Sequence, residues 1–363
     1  MVKYFKSKGN KLNLPLFFPD ATKAFVRSVD SLDIVNTRTP GILVNTYHLY
    51  KDLGLSVIKK FGGVKDFMSW GGATISDSGG FQIMSLAKKS GKGGIITDRG
   101  VTFKLGPSEK ISLTPFDSIR FQMELKTDLV VVLDDFTPPK ATHEEAKETV
   151  DRTILWAKKC KEVFEKICDS KKLDKNKRPY LIGVVQGGSY MDLRKECAEE
   201  LVKIGFDGLG YGGWPMNEEG FFDYDSARVI ADAAPENYLL YGLGIGKPHE
   251  VAVLAEMGFS IFDCVLPTRD ARHKRLYVYN ADSIEKIVVE GRDFYSYYVP
   301  DKGRHYKDTG PVSKACDCLL CTKYSRAYLA HLFRSKETSA LRLATIHNLR
   351  FYSILMEKLQ KYF

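Results

Sequence analysis

LVVVLDDFTP (129–138) runs through five large apolar residues and stops abruptly at two aspartates. It has no alternation separating an inner from an outer face, so it suits a strand buried on both sides, as in a parallel sheet. The same pattern recurs in GILVNTYHL (41–49), ATISDSGGFQ (73–82), YLIGVVQGG (180–188), FDGLGYGGW (206–214), YLLYGLGIG (238–246) and FSIFDCVLPTR (259–269). Helix-like stretches lie between several of these runs, among them 143–167 and 189–204. In the second, Leu193, Cys197, Leu201 and Ile204 form one apolar face. Alternating strands and helices imply βαβ units. Seven such strands, with an eighth unidentified, favour a closed α/β, (β/α)8 TIM barrel over an open sheet. No glycine-rich dinucleotide fingerprint opens a first βαβ unit, and the glycines of GLGIGKP read as strand-end turns. Asp77, Asp134, Asp135, Gln186 and Asp263 fall at C-terminal strand ends, where such barrels carry their catalytic groups.

Bulk properties bound the rest. The 363 residues are 44% hydrophobic and 27% charged, enough to bury a sizeable core. No run of about 18 apolar residues suggests a membrane span, and the first residues lack a secretory pattern. A cytoplasmic location is therefore expected. Residues 266–363 hold 18 Lys and Arg against 10 Asp and Glu, whereas the other 265 residues hold 36 against 35. A basic C-terminal third suggests a polyanion footprint. The lysine-rich stretch 170–179 reads as a solvated loop. The expected organisation is a catalytic barrel over 1–270, then a zinc-binding subdomain and C-terminal helices completing the barrel over 271–363.

Seven cysteines are an odd count and argue against a disulfide framework. Cys316, Cys318 and Cys321 crowd into six residues, followed by His331 and His347. Three thiols at this spacing call for a thiolate-binding metal, and one histidine would close a tetrahedral zinc site. Four protein ligands leave no position for water, so such a zinc is structural. Cys264 reads as a packed core cysteine.

NTYHL (45–49), SDSGGFQIMSL (76–86), GVTFK (100–104), GVVQGG (183–188), IGKP (245–248), FDCVLPTR (262–269), CDCLLC (316–321), SRAYLAHL (325–332) and HNLRFY (347–352) follow one another in order. Together they resemble the bacterial-type tRNA-guanine transglycosylases, also called queuine tRNA-ribosyltransferases. The resemblance runs from about Pro19 to Tyr352. It implies a TIM barrel with an inserted zinc subdomain, a homodimer, and exchange of the wobble guanine in a tRNA anticodon stem-loop for a 7-deazaguanine base. It selects His347 over His331 as fourth ligand of one structural Zn2+ per chain.

Base exchange with retention at C1′ needs two displacements and two carboxylates. By resemblance, Asp263 matches the nucleophile and Asp77 the general acid/base. A flipped guanine needs edge hydrogen bonds and a stacking face. Asp134 can accept from N1–H and the 2-amino group; Gln186 and the Gly213 N–H can address O6; Phe81 can stack. Ser78 and Gln82 complete the first strand-end loop, and Asp135 has a supporting role. Arg269 and Arg272 resemble a pair that reads the flanking uridines. GGWPMNE (212–218) departs from the usual GGLAVGE: Gly212, Gly213 and Glu218 are kept, while Trp214 and Pro215 replace small residues facing the 7-substituent. Both 7-aminomethyl-7-deazaguanine and queuine therefore stay open as incoming base. A DNA-guanine transglycosylase, a non-catalytic RNA-binding partner subunit and a zinc hydrolase are the competing readings. The arginine pair and intact zinc motif weigh against the first, both aspartates against the second, and the closed ligand set against the third.

Overall fold

The structure, a computed structural model, describes residues 2–7, 10–80, 95–104, 110–217, 219–301 and 303–362. Its centre is eight short strands: β1 (Leu16–Pro19), β2 (Gly41–Val44), β3 (Ala73–Ser76), β4 (Leu129–Val131), β5 (Tyr180–Val185), β6 (Gly208–Tyr211), β7 (Leu239–Gly242) and β8 (Ile261–Cys264). They pair in parallel in the order β1-β8-β7-β6-β5-β4-β3-β2. A parallel bridge between Asp20 and Leu43, with the Ala21 N–H 2.7 Å from the Leu43 carbonyl, joins the two ends and closes the barrel. All seven strands read from the sequence are present. The eighth is LFFP, four residues bounded by Pro15 and Pro19, and proline in so short a run hides a strand signal. Pro19 is tolerated because it ends β1, opposite Cys264.

Each strand is buried along nearly its whole length. Ile75, Val130, Leu181, Ile182, Leu209 and Ile261 lose essentially all contact with water, and burial of such a side chain contributes about 1.5–3 kcal/mol. The outer helices begin where their caps dictate. Thr114 and Thr142 each form a reciprocal capping box, with Asp117 and Glu145, at the head of Pro115–Leu125 and His143–Ser170. No described helix is long and apolar enough to cross a membrane.

Only a short helix, Leu266–Arg272, directly follows β8. The chain then makes an antiparallel hairpin, Leu276–Tyr279 with Tyr295–Tyr298, and a cysteine-bearing segment. It returns to the barrel as the long helix Thr338–Leu359. Tyr352 of that helix lies against Phe17 of β1, ring centroids 4.3 Å apart, and Leu349 joins the cluster of Ile34, Ile42 and Val44. The metal-type segment is thus inserted between the last strand and the helix that covers the first.

Candidate active site and metal centre

Parallel strands deliver every C-terminal end to one mouth. In barrel order these ends bring Asp20, Asp263, Gly244, Gly212 with Gly213, Gln186, Asp134, Asp77 and Asn45 around one rim. Asp263, on β8, is 8% exposed. Its Oδ1 accepts from the Tyr241 hydroxyl at 2.7 Å and the Gly244 N–H at 2.9 Å, both offered by the neighbouring β7 side. Its Oδ2 has no hydrogen-bond donor among the described residues. Burial pushes the carboxyl up to about 6 against those two bonds, and Asp20 adds to the rise.

Asp77 follows β3 and is half-buried. Its Oδ1 accepts from the N–H groups of Thr46 (3.0 Å) and Gly79 (3.1 Å), and Oδ2 from the Asn45 amide (2.6 Å). Asn45 also caps the helix Thr46–Asp52, so NTYHL builds a helix start that doubles as a carboxylate cradle. Burial outweighs these donors and, with the charge of Asp263, pushes Asp77 up to about 7. Asp77 therefore senses the charge of Asp263 across the mouth.

Asp134 occupies the opposite side. Its Oδ2 accepts from Gln186 Nε2 at 2.7 Å, while Gln186 Oε1 accepts from the Thr137 N–H at 3.1 Å. Burial pushes Asp134 up to about 6, with Asp135 adding to it. Gln186 is fully buried behind Asp134. Asp135 turns inward and pairs with Arg152. Gly212 presses on Gln186: a Cβ there would stand 2.7 Å from Nε2, and Gly213 holds a φ of +85°, a conformation suited to glycine. Close approach of loop to amide thus explains why this rim ends in two glycines.

The other candidates lie as follows. Ser78 is buried, its Oγ accepting from the Gly80 N–H within its own turn at 3.2 Å. Trp214 is 51% exposed beyond the glycine pair. Arg269 is exposed, whereas Arg272 is half-buried with an Nη1 that finds no acceptor among the described residues. Phe81, Gln82 and Glu218 lie outside the described residues. Three residues escaped the sequence reading. Asp20, held by Thr22, adds a third carboxylate beside Asp263 and feels Arg27 and Arg272. Its signal was an acid after an apolar run, lost with the strand that carries it. Tyr241 and Gly244, the holders of Asp263, lie in YLLYGLGIG, which read only as a strand with turn glycines.

At the other end of the inserted segment, ligand atoms of Cys316, Cys318, Cys321 and His347 all lie within 4.8 Å of one another. A tetrahedral zinc with bonds of about 2.3 Å would want sulfur separations of about 3.8 Å, so the cluster fits with small closure. His347 Nδ1 lies 3.5 and 3.3 Å from the sulfurs of Cys318 and Cys321, while Nε2–H donates to the Tyr277 carbonyl at 2.7 Å. That bond fixes the tautomer that leaves Nδ1 free as a donor atom. Hydrogen bonds from Cys316 and Cys318 hold the Cys321 thiol well below its usual range, favouring the thiolate a metal requires. His331 is exposed and apart from the cluster. The four residues could hold a metal ion.

The helix sequence HNLRFY then becomes legible residue by residue. Asn348 donates to the carbonyls of Pro267 (2.9 Å) and Arg275 (3.0 Å) and accepts from the Tyr277 N–H (3.1 Å). Arg350 grips Asp317, between two of the cysteines, at 2.5 Å and Glu357 at 2.6 Å. Phe351 stacks on Tyr279 at 4.1 Å, and the Tyr352 hydroxyl donates to the Gly246 carbonyl at 2.5 Å. One helical stretch ties the metal-type cluster to the turn beside β8.

A closed parallel barrel with carboxylates on the rim formed by its C-terminal strand ends, carrying an inserted Cys3His cluster, has the form of a TIM-barrel enzyme. Comparison with known proteins narrows that class. The family model described as queuine tRNA-ribosyltransferase matches residues 3–362. Proteins named queuine tRNA-ribosyltransferase from Psychrobacter cryohalolentis (37% identical over 348 residues, 95% of this chain and 85% of the relative) and Methylacidiphilum infernorum (37% over 350 residues, 96% and 87%) are similar to it. So is one from Vibrio parahaemolyticus, at 36% over 351 residues, 96% of this chain and 85% of the relative. The chain belongs to the queuine tRNA-ribosyltransferase family.

Proposed function

We propose that this enzyme exchanges the guanine at the anticodon wobble position of tRNA for a 7-deazaguanine in queuosine modification, through a covalent aspartyl-ribose intermediate. The observation that carries the reading is the asymmetry of Asp263: one oxygen is anchored by Tyr241 and Gly244, and the other has no donor among the described residues. In the first step Oδ2 of Asp263 bonds to ribose C1′ while the C1′–N9 bond breaks. The electron pair leaves on the base, and Asp77 supplies its proton. In the second step Asp77, now a carboxylate, takes the proton from N9 of the incoming base. N9 then bonds to C1′, and the Asp263–C1′ bond breaks. Two inversions give net retention.

Asp134 faces the N1–H and 2-amino donors of the base, with Gln186 holding it in register, and the Gly213 N–H donates to O6. Phe81 is assigned the stacking face, and Ser78, Gln82, Gly212, Trp214 and Glu218 the remaining pocket. Arg269 and Arg272 read bases flanking the target, and the basic 266–363 segment holds the anticodon stem through phosphates. The Cys3His cluster holds one structural zinc; with four protein ligands it takes no part in the chemistry. A homodimer in the cytoplasm, with residues 271–363 as the RNA-gripping unit, completes the proposal.

The test is base exchange with labelled guanine on a tRNA and on a matched DNA, chased by 7-aminomethyl-7-deazaguanine and by queuine. Incorporation into tRNA at the wobble position, chased by one of the two, is expected. Incorporation into DNA alone would overturn the acceptor, and failure of both chases would overturn the incoming base.

A further inference from the structure

Arg194 is a fully buried arginine that forms no ion pair with a carboxylate among the described residues. It stands in the first turn of the helix Met191–Ile204, where a cation opposes the helix dipole, so its position is not explained by helix preference. Its guanidinium instead bonds backbone carbonyls of two rim loops. Nε donates to Gly188 O at 2.7 Å, and Nη1 to Gly212 O at 3.1 Å and Val185 O at 3.3 Å. Nη2 lies 3.5 Å from where a Cβ on Gly213 would stand and has no acceptor among the described residues. The Tyr211 ring packs on the guanidinium at 4.6 Å. A buried cation held by carbonyls alone among the described residues is costly to keep, and an arrangement so specific calls for a purpose.

The Gly212 carbonyl and the Gly213 N–H are the two ends of one peptide group. A cation hydrogen-bonded to the carbonyl polarises that group and makes the N–H at its other end a stronger donor, since bonds in such a chain reinforce one another. We propose that Arg194 is a positioning residue for base exchange: it fixes the Gly212–Gly213 peptide and charges its N–H toward the O6 of guanine. Negative charge left on the departing base spreads to O6, so this donor strengthens as the C1′–N9 bond breaks. The inference rests on the assignment of the Gly213 N–H to O6 made above.

The test compares guanine with 6-thioguanine, which keeps the N1–H and 2-amino donors but offers a poorer acceptor at position 6. Inhibition constants of both bases, kcat and tRNA affinity are measured for the full-length holoenzyme and for Arg194→Met, Arg194→Gln and Arg194→Lys. Arg194→Met is expected to weaken guanine by about tenfold, the worth of a charge-assisted bond, with a matching fall in kcat. 6-Thioguanine should lose clearly less, tRNA affinity should hold, and Arg194→Lys should recover part of the loss. Should Arg194→Met not fold, the same contrast is read between Arg194→Gln and Arg194→Lys. Equal losses on the two bases, or a parallel loss of tRNA affinity, would reduce Arg194 to a structural brace and overturn the proposal. Wild-type enzyme that binds neither base would overturn it too, by removing the O6 assignment beneath it.

Discussion

The barrel mouth and the cysteine cluster both hold buried polar groups, and the residues nearest the centre of each are partnered differently. Around the cluster, Arg350 has two carboxylates, Asn348 fills three backbone groups, and His347 uses both ring nitrogens. At the mouth, among the described residues, Asp263 Oδ2 has no hydrogen-bond donor and Arg194 Nη2 no acceptor, and Asp77, Asp134 and Asp263 are all pushed up by burial. Satisfied polar groups fix a shape; unsatisfied ones hold potential for a ligand to complete. The contrast fits the proposed division between an end that serves architecture and one that serves chemistry, and it can be broken from either side.

The largest effect is expected at the mouth. Asp263→Asn should abolish base exchange and every trace of an RNA–protein adduct on a denaturing gel, while tRNA affinity stays near wild type. Asp77→Asn should slow exchange by about 10²–10⁴-fold and, with the nucleophile intact, let the adduct accumulate. An adduct in Asp263→Asn would reverse the assignment. At the cluster, Cys318→Ser should release bound zinc and lower the melting temperature, because metal binding there is folding energy. Activity falls only through that loss of shape. Metal analysis and calorimetry on the same sample check this, and a metal-free protein that melts unchanged would place the cluster outside the architecture.

How much of this could be read from the sequence follows the same division. Seven strands were legible because each is a continuous apolar run with an abrupt polar end, and the strand-end acids came with them. β1 was not, since prolines bracket four residues, and Asp20 was lost with it. The cluster was legible from cysteine spacing, but its fourth ligand needed the resemblance, as spacing treats His331 and His347 alike. Tyr241, Gly244 and Arg194 were out of reach for a different reason. They act through contacts between neighbouring strands and loops, and no local pattern marks a hydroxyl, an N–H or a guanidinium aimed across a barrel rim.

The raised carboxyls set a pH profile of intermediate size. Under the proposed mechanism attack needs Asp263 ionised, so its limb falls away below about 6, and protonation of guanine needs Asp77 protonated, so its limb falls above about 7. A narrow bell in kcat/KM is expected, and because Asp77 feels the charge of Asp263 the apparent values belong to the pair. Asp77→Asn should flatten the alkaline limb and leave the acid one. Loss of the acid limb instead would exchange the two roles.

The smallest effect sharpens the comparison most directly, because it concerns stability alone. Asp77 and Asp263 take up protons more readily folded than unfolded, since both are raised above the ordinary value of 3.8. Their contribution to stability is therefore fully present below about pH 4 and is lost as pH rises through about 6 and 7. At pH 8 both are buried charges that the folded state holds at a cost. Asn removes the charge and keeps the shape, so Asp263→Asn and Asp77→Asn should each melt higher than wild type at pH 8, by roughly 2–4 °C for each kcal/mol relieved. The gain should shrink toward pH 5, where the wild-type groups are already protonated in the folded state. Asp317→Asn, in the cluster, should do the reverse at pH 8. Arg350 and Arg38 hold that carboxyl below its ordinary range, and its removal leaves the buried Arg350 with Glu357 alone. Melting curves of the three variants at pH 5 and pH 8 test the sign at each end. A mouth variant that melts lower than wild type at pH 8 would mean that its aspartate serves architecture after all.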